Sequence, residues 1–316
     1  MTATDSISLP LPWQQQLWDN FDTRLKQQRL PHALMLNAVE GVGVESLANA
    51  MAQRLLCNAD NNDYACGTCK ACQLLMAGTH PDLIQVVPEE QGKPIKVAQI
   101  RELCAAIAKT AQQGGWKVVL INPAESMNIA AANALLKSLE EPQPNTLLIL
   151  ISYRLSVVAP TIRSRCQIET LVAPDSQIAK NWLSKMIDKP QQVDKILELA
   201  NGRPLLALEY LQGSGLDNRQ HAEGLLDAVR RHKTSPLDAA QACQKYHPDE
   251  LIDWIMNYIH RLMVGELQNQ QNPRLFHFLD KLIEARAWIL SGSTINIQLL
   301  WETLFIEWSQ VFQPQR

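Results

Sequence analysis

No apolar run in this sequence approaches the ~20 residues needed to cross a bilayer, so no membrane role is expected. The opening stretch, MTATDSISLPLPW, lacks the basic start and apolar core of a secretory signal. Strong charge of either sign is missing too: 29 Lys and Arg against 32 Asp and Glu leave a formal charge of -3. There is thus no global attraction to DNA, and any nucleic-acid contact must be local or supplied by partners. Internal repeats and low-complexity tails are absent. What is present is an ordinary globular composition, 46% hydrophobic and 19% charged, over 316 residues, enough for two or three domains. Seven cysteines, an odd number, without an export signal are expected to be reduced thiols in the cytoplasm.

Helical spacing of Leu17, Trp18, Phe21 and Leu25 predicts a helix over Trp13–Arg29, ended by Pro31. Short apolar runs at Ala33–Asn37, Leu83–Val87, Val118–Ile121 and Thr146–Ile151 predict strands. Helical stretches are expected at Ser46–Leu56, Val97–Ala111 and Ser126–Glu141. That alternation indicates a mainly parallel sheet covered on both faces. Beyond Pro174 only helices are expected: Asp175–Ile187, Gln191–Ala200 and Pro204–Leu211, with Asn201-Gly202 as a helix stop. Longer ones follow, at Asp217–His232, Pro236–Tyr246, Pro248–Gln268, Pro273–Leu290 and Asn296–Phe312. Leu251, Ile252, Ile255, Ile259 and Leu262 share one stripe, and Trp254, Trp288, Trp301 and Trp308 are expected to fill helix contacts.

Ala33–Gly43 (ALMLNAVEGVG) reads as a strand entering a glycine turn shaped for a phosphate. A working loop also needs a lysine for the β/γ-phosphates and a hydroxyl for Mg²⁺. Gly41 and Gly43 are present, but Ala38 stands where the template's first glycine belongs, Val44 replaces the lysine and Glu45 the hydroxyl. The acidic pair that would hold Mg²⁺ is missing as well, since Val118–Ile121 runs into Asn122-Pro123. Two separate losses predict a chain that neither binds nor hydrolyses ATP. An ATPase with a variant loop is the rival reading.

Cys57, Cys66, Cys69 and Cys72 follow C-x8-C-x2-C-x2-C spacing, and four thiolates so close together can surround Zn²⁺ tetrahedrally. An iron–sulfur cluster is the alternative, although its ferredoxin run needs a further cysteine before proline, where Met76-Ala77 stands. Unligated thiols are the third possibility. With no open coordination position, the zinc would be structural. Asp60, Asp63 and the single Lys70 give the segment a charge that suits a structural knob better than a DNA-binding zinc module. Cys104, Cys166 and Cys243 lie outside the cluster and are expected to be buried.

Asn133–Pro142 (NALLKSLEEP) and Ser164-Arg165-Cys166 complete a pattern that resembles the clamp-loader branch of the AAA+ ATPases. Ala77–Asp82 (AGTHPD) and Val97–Leu103 (VAQIREL) extend the likeness. The broken loop with a four-cysteine insertion is similar to the delta-prime family of DNA polymerase III subunits, whereas gamma/tau motor subunits keep the loop intact. The resemblance covers about the first 210 residues well and the C-terminal helices only by length and helicity. It implies an αβα AAA+-type domain over residues 1–172 with a zinc insertion at 57–72, a three-helix lid over 173–213, and a helical collar over 214–316. It further implies a non-catalytic subunit of the polymerase, which counts as a nucleotidyltransferase only through the complex. Its expected partners are gamma/tau and delta and, indirectly, the sliding clamp and primer–template DNA. Cys57, Cys66, Cys69 and Cys72 match the zinc ligands. Arg165 matches an arginine finger acting in trans on a neighbour's ATP, with Arg163 its nearest competitor and a plain intrachain ion pair the bland alternative. The lid's sensing arginine aligns with Leu205, two residues after Arg203, and the sensing polar residue with Ser152.

Overall fold

In the computed structural model, which describes residues 7–59, 62–90, 92–113, 115–187, 192–213, 215–265, 273–290 and 295–312, the apolar runs pair as an all-parallel sheet. Its strands are β1 (Ala33–Ala38), β2 (Leu83–Val86), β3 (Lys117–Ile121), β4 (Thr146–Ser152) and β5 (Gln167–Leu171), in the order β2-β3-β4-β1-β5. Every residue of β3 and β4 is buried, as expected of strands covered on both faces. Leu34, Leu36, Val118, Leu120, Leu147 and Ile149 face one core with α1 (Gln15–Lys26) and α2 (Val44–Leu56). Met35, Val119, Ile121, Leu148 and Leu150 face the other, with α4 (Val97–Ile107) and α5 (Ile129–Glu140). The remaining helices of this part are α3 (Lys70–Met76), α6 (Pro160–Arg163), α7 (Ser176–Ser184), α8 (Val193–Leu199) and α9 (Pro204–Gln212).

The chain divides into two compact units, Met1–Leu208 and Glu209–Arg316, with the division inside α9. The second unit holds α10 (Gly215–Arg230), α11 (Pro236–Cys243), α12 (Pro248–Gly265), α13 (Pro273–Leu290) and α14 (Ile297–Val311). Its core contains the predicted stripe of Leu251, Ile252, Ile255, Ile259 and Leu262, together with Trp254, Trp301 and Trp308. The indole of Trp308 donates to the Leu226 carbonyl at 2.9 Å.

Some expectations need correction. Trp288 is 50% exposed, because the buried stripe of α13 runs through Leu275, Phe278, Leu282 and Ala285 and continues to Ile289. Cys243 is buried, whereas Cys104 and Cys166 are only half-buried, at the margin of the α4–α5 core. The first helix is shorter than predicted: a 3-10 turn at Pro12–Gln14 precedes it, and it stops at Lys26, with Gln28 at φ 56°. The predicted Ser126 start becomes a 3-10 turn, and α5 begins after the Asn128 cap, whose side chain accepts from Ala131 N–H. Val97–Ala111 stops at Ile107, and Pro236–Tyr246 at Cys243. The opening residues 1–6, Asp60, the Gln191 start and the 266–268 end of a predicted helix lie outside the described residues.

Candidate functional site

The glycine turn forms as the sequence requires, and it is filled. Gly41 and Gly43 sit at φ 84° and 81°, a backbone region that glycine tolerates without strain. Val42 and Val44 are buried and Ala38 ends β1 in the core. Over the turn lie side chains from two distant segments. A Cβ added to Gly41 would meet Leu206 Cβ at 2.7 Å, and one added to Gly43 would meet Leu11 Cδ1 at 2.6 Å and Leu205 Cδ1 at 2.8 Å. The Gln14 amide donates to the Val42 and Gly43 carbonyls at 3.1 and 2.8 Å, and the Trp13 indole to Val42 at 2.9 Å. Leu205 N–H donates to the Gly41 carbonyl at 3.0 Å. Arg203 reaches the same turn through its Nη1 contact with the Glu40 carbonyl at 3.5 Å.

Glu45 occupies the first turn of α2, where the helix dipole favours a negative charge. Tyr153 donates its hydroxyl to Glu45, and burial followed by that carboxylate's charge pushes the phenol's pKa well up. An acidic side chain thus stands in the first turn of α2, the helix end at which phosphates bind in working loops. Asn122 follows β3, and Ser152, expected just after its strand, is instead the last residue of β4; each has a buried side-chain oxygen that meets no hydrogen-bond partner.

Arg165 stands two residues after α6, with its side chain 36% exposed. Its Nη2 pairs with Glu140 Oε1 at 2.7 Å, and Nη1 donates to the Thr161 carbonyl at 3.0 Å and to Ser164 Oγ at 3.3 Å. The guanidinium is therefore at the surface, in an intrachain ion pair with the last residue of α5. Arg163, by contrast, is partly buried, and its Nε is enclosed without a hydrogen-bond partner.

The four thiols of Cys57, Cys66, Cys69 and Cys72 lie within 4.8 Å of one another. Cys57–Cys69 and Cys66–Cys72 are 4.0 and 3.9 Å apart, close to the edge of about 3.8 Å that a tetrahedron of Zn–S bonds demands. Backbone N–H groups point at the sulfurs: Cys66 N to Cys57 at 3.3 Å, Cys69 N to Cys66 at 3.3 Å and Cys72 N to Cys69 at 3.4 Å. Hydrogen bonds from the Thr68 and Cys69 N–H groups push the Cys66 thiol down to about 5. Gly67, at φ 73°, makes the turn between Cys66 and Cys69, and α3 carries Cys72. Four sulfurs so arranged fit a metal ion. The sequence reading missed α3, and also Leu11, Gln14 and Leu206 over the turn. No local pattern marks those three, because they come from far along the chain.

The parallel sheet, its glycine turn and the helices after it define an AAA+-type unit. A solved gamma-subunit-related protein of DNA polymerase III from Thermotoga maritima shares this fold, with a TM-score of 0.55 at 15% identity over 94% of this chain and 99% of that one. A family model described as DNA polymerase III, delta subunit, matches residues 13–175. DNA polymerase III subunit delta' of Pseudomonas aeruginosa is 35% identical over 96% of this chain and 98% of that protein. Its Escherichia coli K12 counterpart is 32% identical over 96% of both. The chain belongs to the delta-prime family of DNA polymerase III subunits.

Proposed function

We propose that this chain is a non-catalytic subunit of a bacterial DNA polymerase III clamp loader. In this reading it works in the cytoplasm with gamma/tau and delta subunits and, through them, with the sliding clamp and primer–template DNA. Residues 1–172 form the AAA+-type domain, 173–213 the lid and 214–316 the collar. The observation that carries the reading is the contrast between a glycine turn closed by Leu11, Gln14, Leu205 and Leu206 and an arginine left at the surface. The turn has no room for a triphosphate and no lysine to hold one. Arg165 has what a neighbour's nucleotide needs, a guanidinium that can offset charge on the transferring phosphoryl group. Such fingers are worth about 10³–10⁵ in rate, so hydrolysis next door comes to depend on assembly. The Cys57, Cys66, Cys69 and Cys72 cluster holds a structural zinc that ties the loop between α2 and α3.

Reconstitution with motor subunits tests the proposal. Arg165→Ala should assemble normally yet depress the ATPase stimulated by clamp and DNA. Unchanged turnover at full assembly refutes the finger. Tight Mg²⁺-dependent ATP binding by the isolated chain would instead favour an ATPase with a variant loop.

A further inference from the structure

Given the reading of Arg165 as a finger, on which this inference rests, we propose that Glu140 is its positioning residue. Arginine is a long side chain, and an unheld guanidinium at a surface must give up rotamer freedom each time it engages a phosphate. Here three acceptors define its place: the Glu140 carboxylate at 2.7 Å, the Thr161 carbonyl at 3.0 Å and Ser164 Oγ at 3.3 Å. A guanidinium has five N–H donors, so N–H groups remain for an incoming oxyanion. The Thr161 carbonyl and the Ser164 hydroxyl both lie within four residues of Arg165 itself. Among the described residues only Glu140 reaches it from another element, tying the side chain to the sheet-packed helix α5.

The carboxylate is half-exposed, with solvent to screen it. An exposed pair of this kind is weak, so it orients the guanidinium without trapping it. The arrangement also links two motifs that stand apart in the sequence, since Glu140 belongs to NALLKSLEEP and Arg165 to the Ser-Arg-Cys stretch. Glu140 touches no nucleotide in this scheme, and it acts only by holding Arg165 in an engaging rotamer.

The test uses the reconstituted complex with Arg165→Ala, Glu140→Ala, Glu140→Gln and the Ala/Ala double variant, each checked for assembly by gel filtration. Glu140→Ala should lower kcat about 3- to 10-fold and leave the KM for ATP unchanged, the split expected when preorganisation is lost. Glu140→Gln keeps an acceptor oxygen without the charge and should restore turnover to within about twofold of the native complex. The double variant should be no slower than Arg165→Ala alone, because Glu140 acts through that residue. A depressed Arg165→Ala complex beside a fully active Glu140→Ala complex overturns the positioning role and leaves the finger standing. A rise in turnover with both Glu140 variants also overturns it, because the carboxylate would then be masking the guanidinium. An Arg165→Ala complex at native turnover defeats the finger itself, and this inference with it.

Discussion

Trp18 of α1 and Tyr64 of the cysteine loop stack with ring centroids 5.2 Å apart and planes 19° from parallel. Beside them Lys26 bridges Asp22 and Asp63, at 2.6 and 3.1 Å, so the loop that carries the thiols is fastened to the first helix.

Metal removal is accordingly expected to be felt in α1. Chelation, or Cys66→Ser, should lower the melting temperature by about 4 °C or more, which at this size corresponds to a loss of roughly 1–2 kcal/mol. Hydrogen exchange should rise over residues 15–26 as well as 57–72. Metal analysis should find zinc, without the visible absorbance of an iron–sulfur cluster. An unchanged melting curve and unchanged exchange after metal loss would show that the loop stands without it.

The closed turn predicts a steep penalty for any side chain at Gly43. Gly43→Ala combines left-handed backbone strain with overlap against Leu11 and Leu205, and it should cost about 2–4 kcal/mol in a urea titration. Gly202 provides the control: it has φ 73° and nothing within 4 Å of an added Cβ, so Gly202→Ala should cost only about 1 kcal/mol. Equal losses at the two sites would contradict the filling of the turn.

Restoring the template residues should not restore binding. Val44→Lys with Glu45→Thr returns the lysine and hydroxyl, but Leu205 and Leu206 still occupy the space above the turn. Equilibrium titration with labelled Mg²⁺-ATP should show no saturable site, in the native chain or in this variant.

In the helical unit, Trp308 packs against Phe278, Phe312 and Tyr258, with centroids 5.4, 5.0 and 6.2 Å away. Trp308→Ala should destabilise this unit by about 3–5 kcal/mol. Trp288→Ala, at a half-exposed position, should cost about 1 kcal/mol or less. Thermal unfolding of the two variants gives the comparison.

His80 is buried, and desolvation lowers its pKa from the ordinary imidazole value, against the opposing pull of Asp82. Above about pH 6.5 the ring is neutral in both states and contributes nothing. As the pH falls below that, the unfolded chain takes up a proton that the folded one refuses, and stability drops. His80→Gln should flatten this acid-side loss in urea titrations at about pH 5.5 and 7.5, relative to the native chain.

β1, β3 and β4 were legible because their residues are mostly apolar on both faces, the signature of a buried parallel sheet, and β2, at one edge, from Leu83, Ile84 and Val86 despite the exposed Gln85. β5 was not: Gln167, Glu169 and Thr170 interrupt it, and as an edge strand it buries only Leu171 fully. The glycine turn and the four thiols could be read from spacing, since their geometry is local. The lid over the turn could not be, because Leu11 and Leu206 meet there only once the sheet has formed. Nor could Glu140: an acidic residue at a helix end is ordinary, and only its approach to Arg165 gives it meaning. Trp288 was misplaced for a related reason, because helical spacing alone does not say which of two adjacent positions, 288 or 289, continues the stripe.

In the proposed reading, a nucleotide-binding neighbour would join the helix after its counterpart of the Asn201-Gly202 stop to its sheet through an exchangeable molecule. Here that joint is Leu205 and Leu206 against Gly41 and Gly43, part of the same polypeptide, so it has no off-rate and no spent form. If its neighbours turn over nucleotide as proposed, the geometry on this side of the seam is expected to stay the same from one turnover to the next.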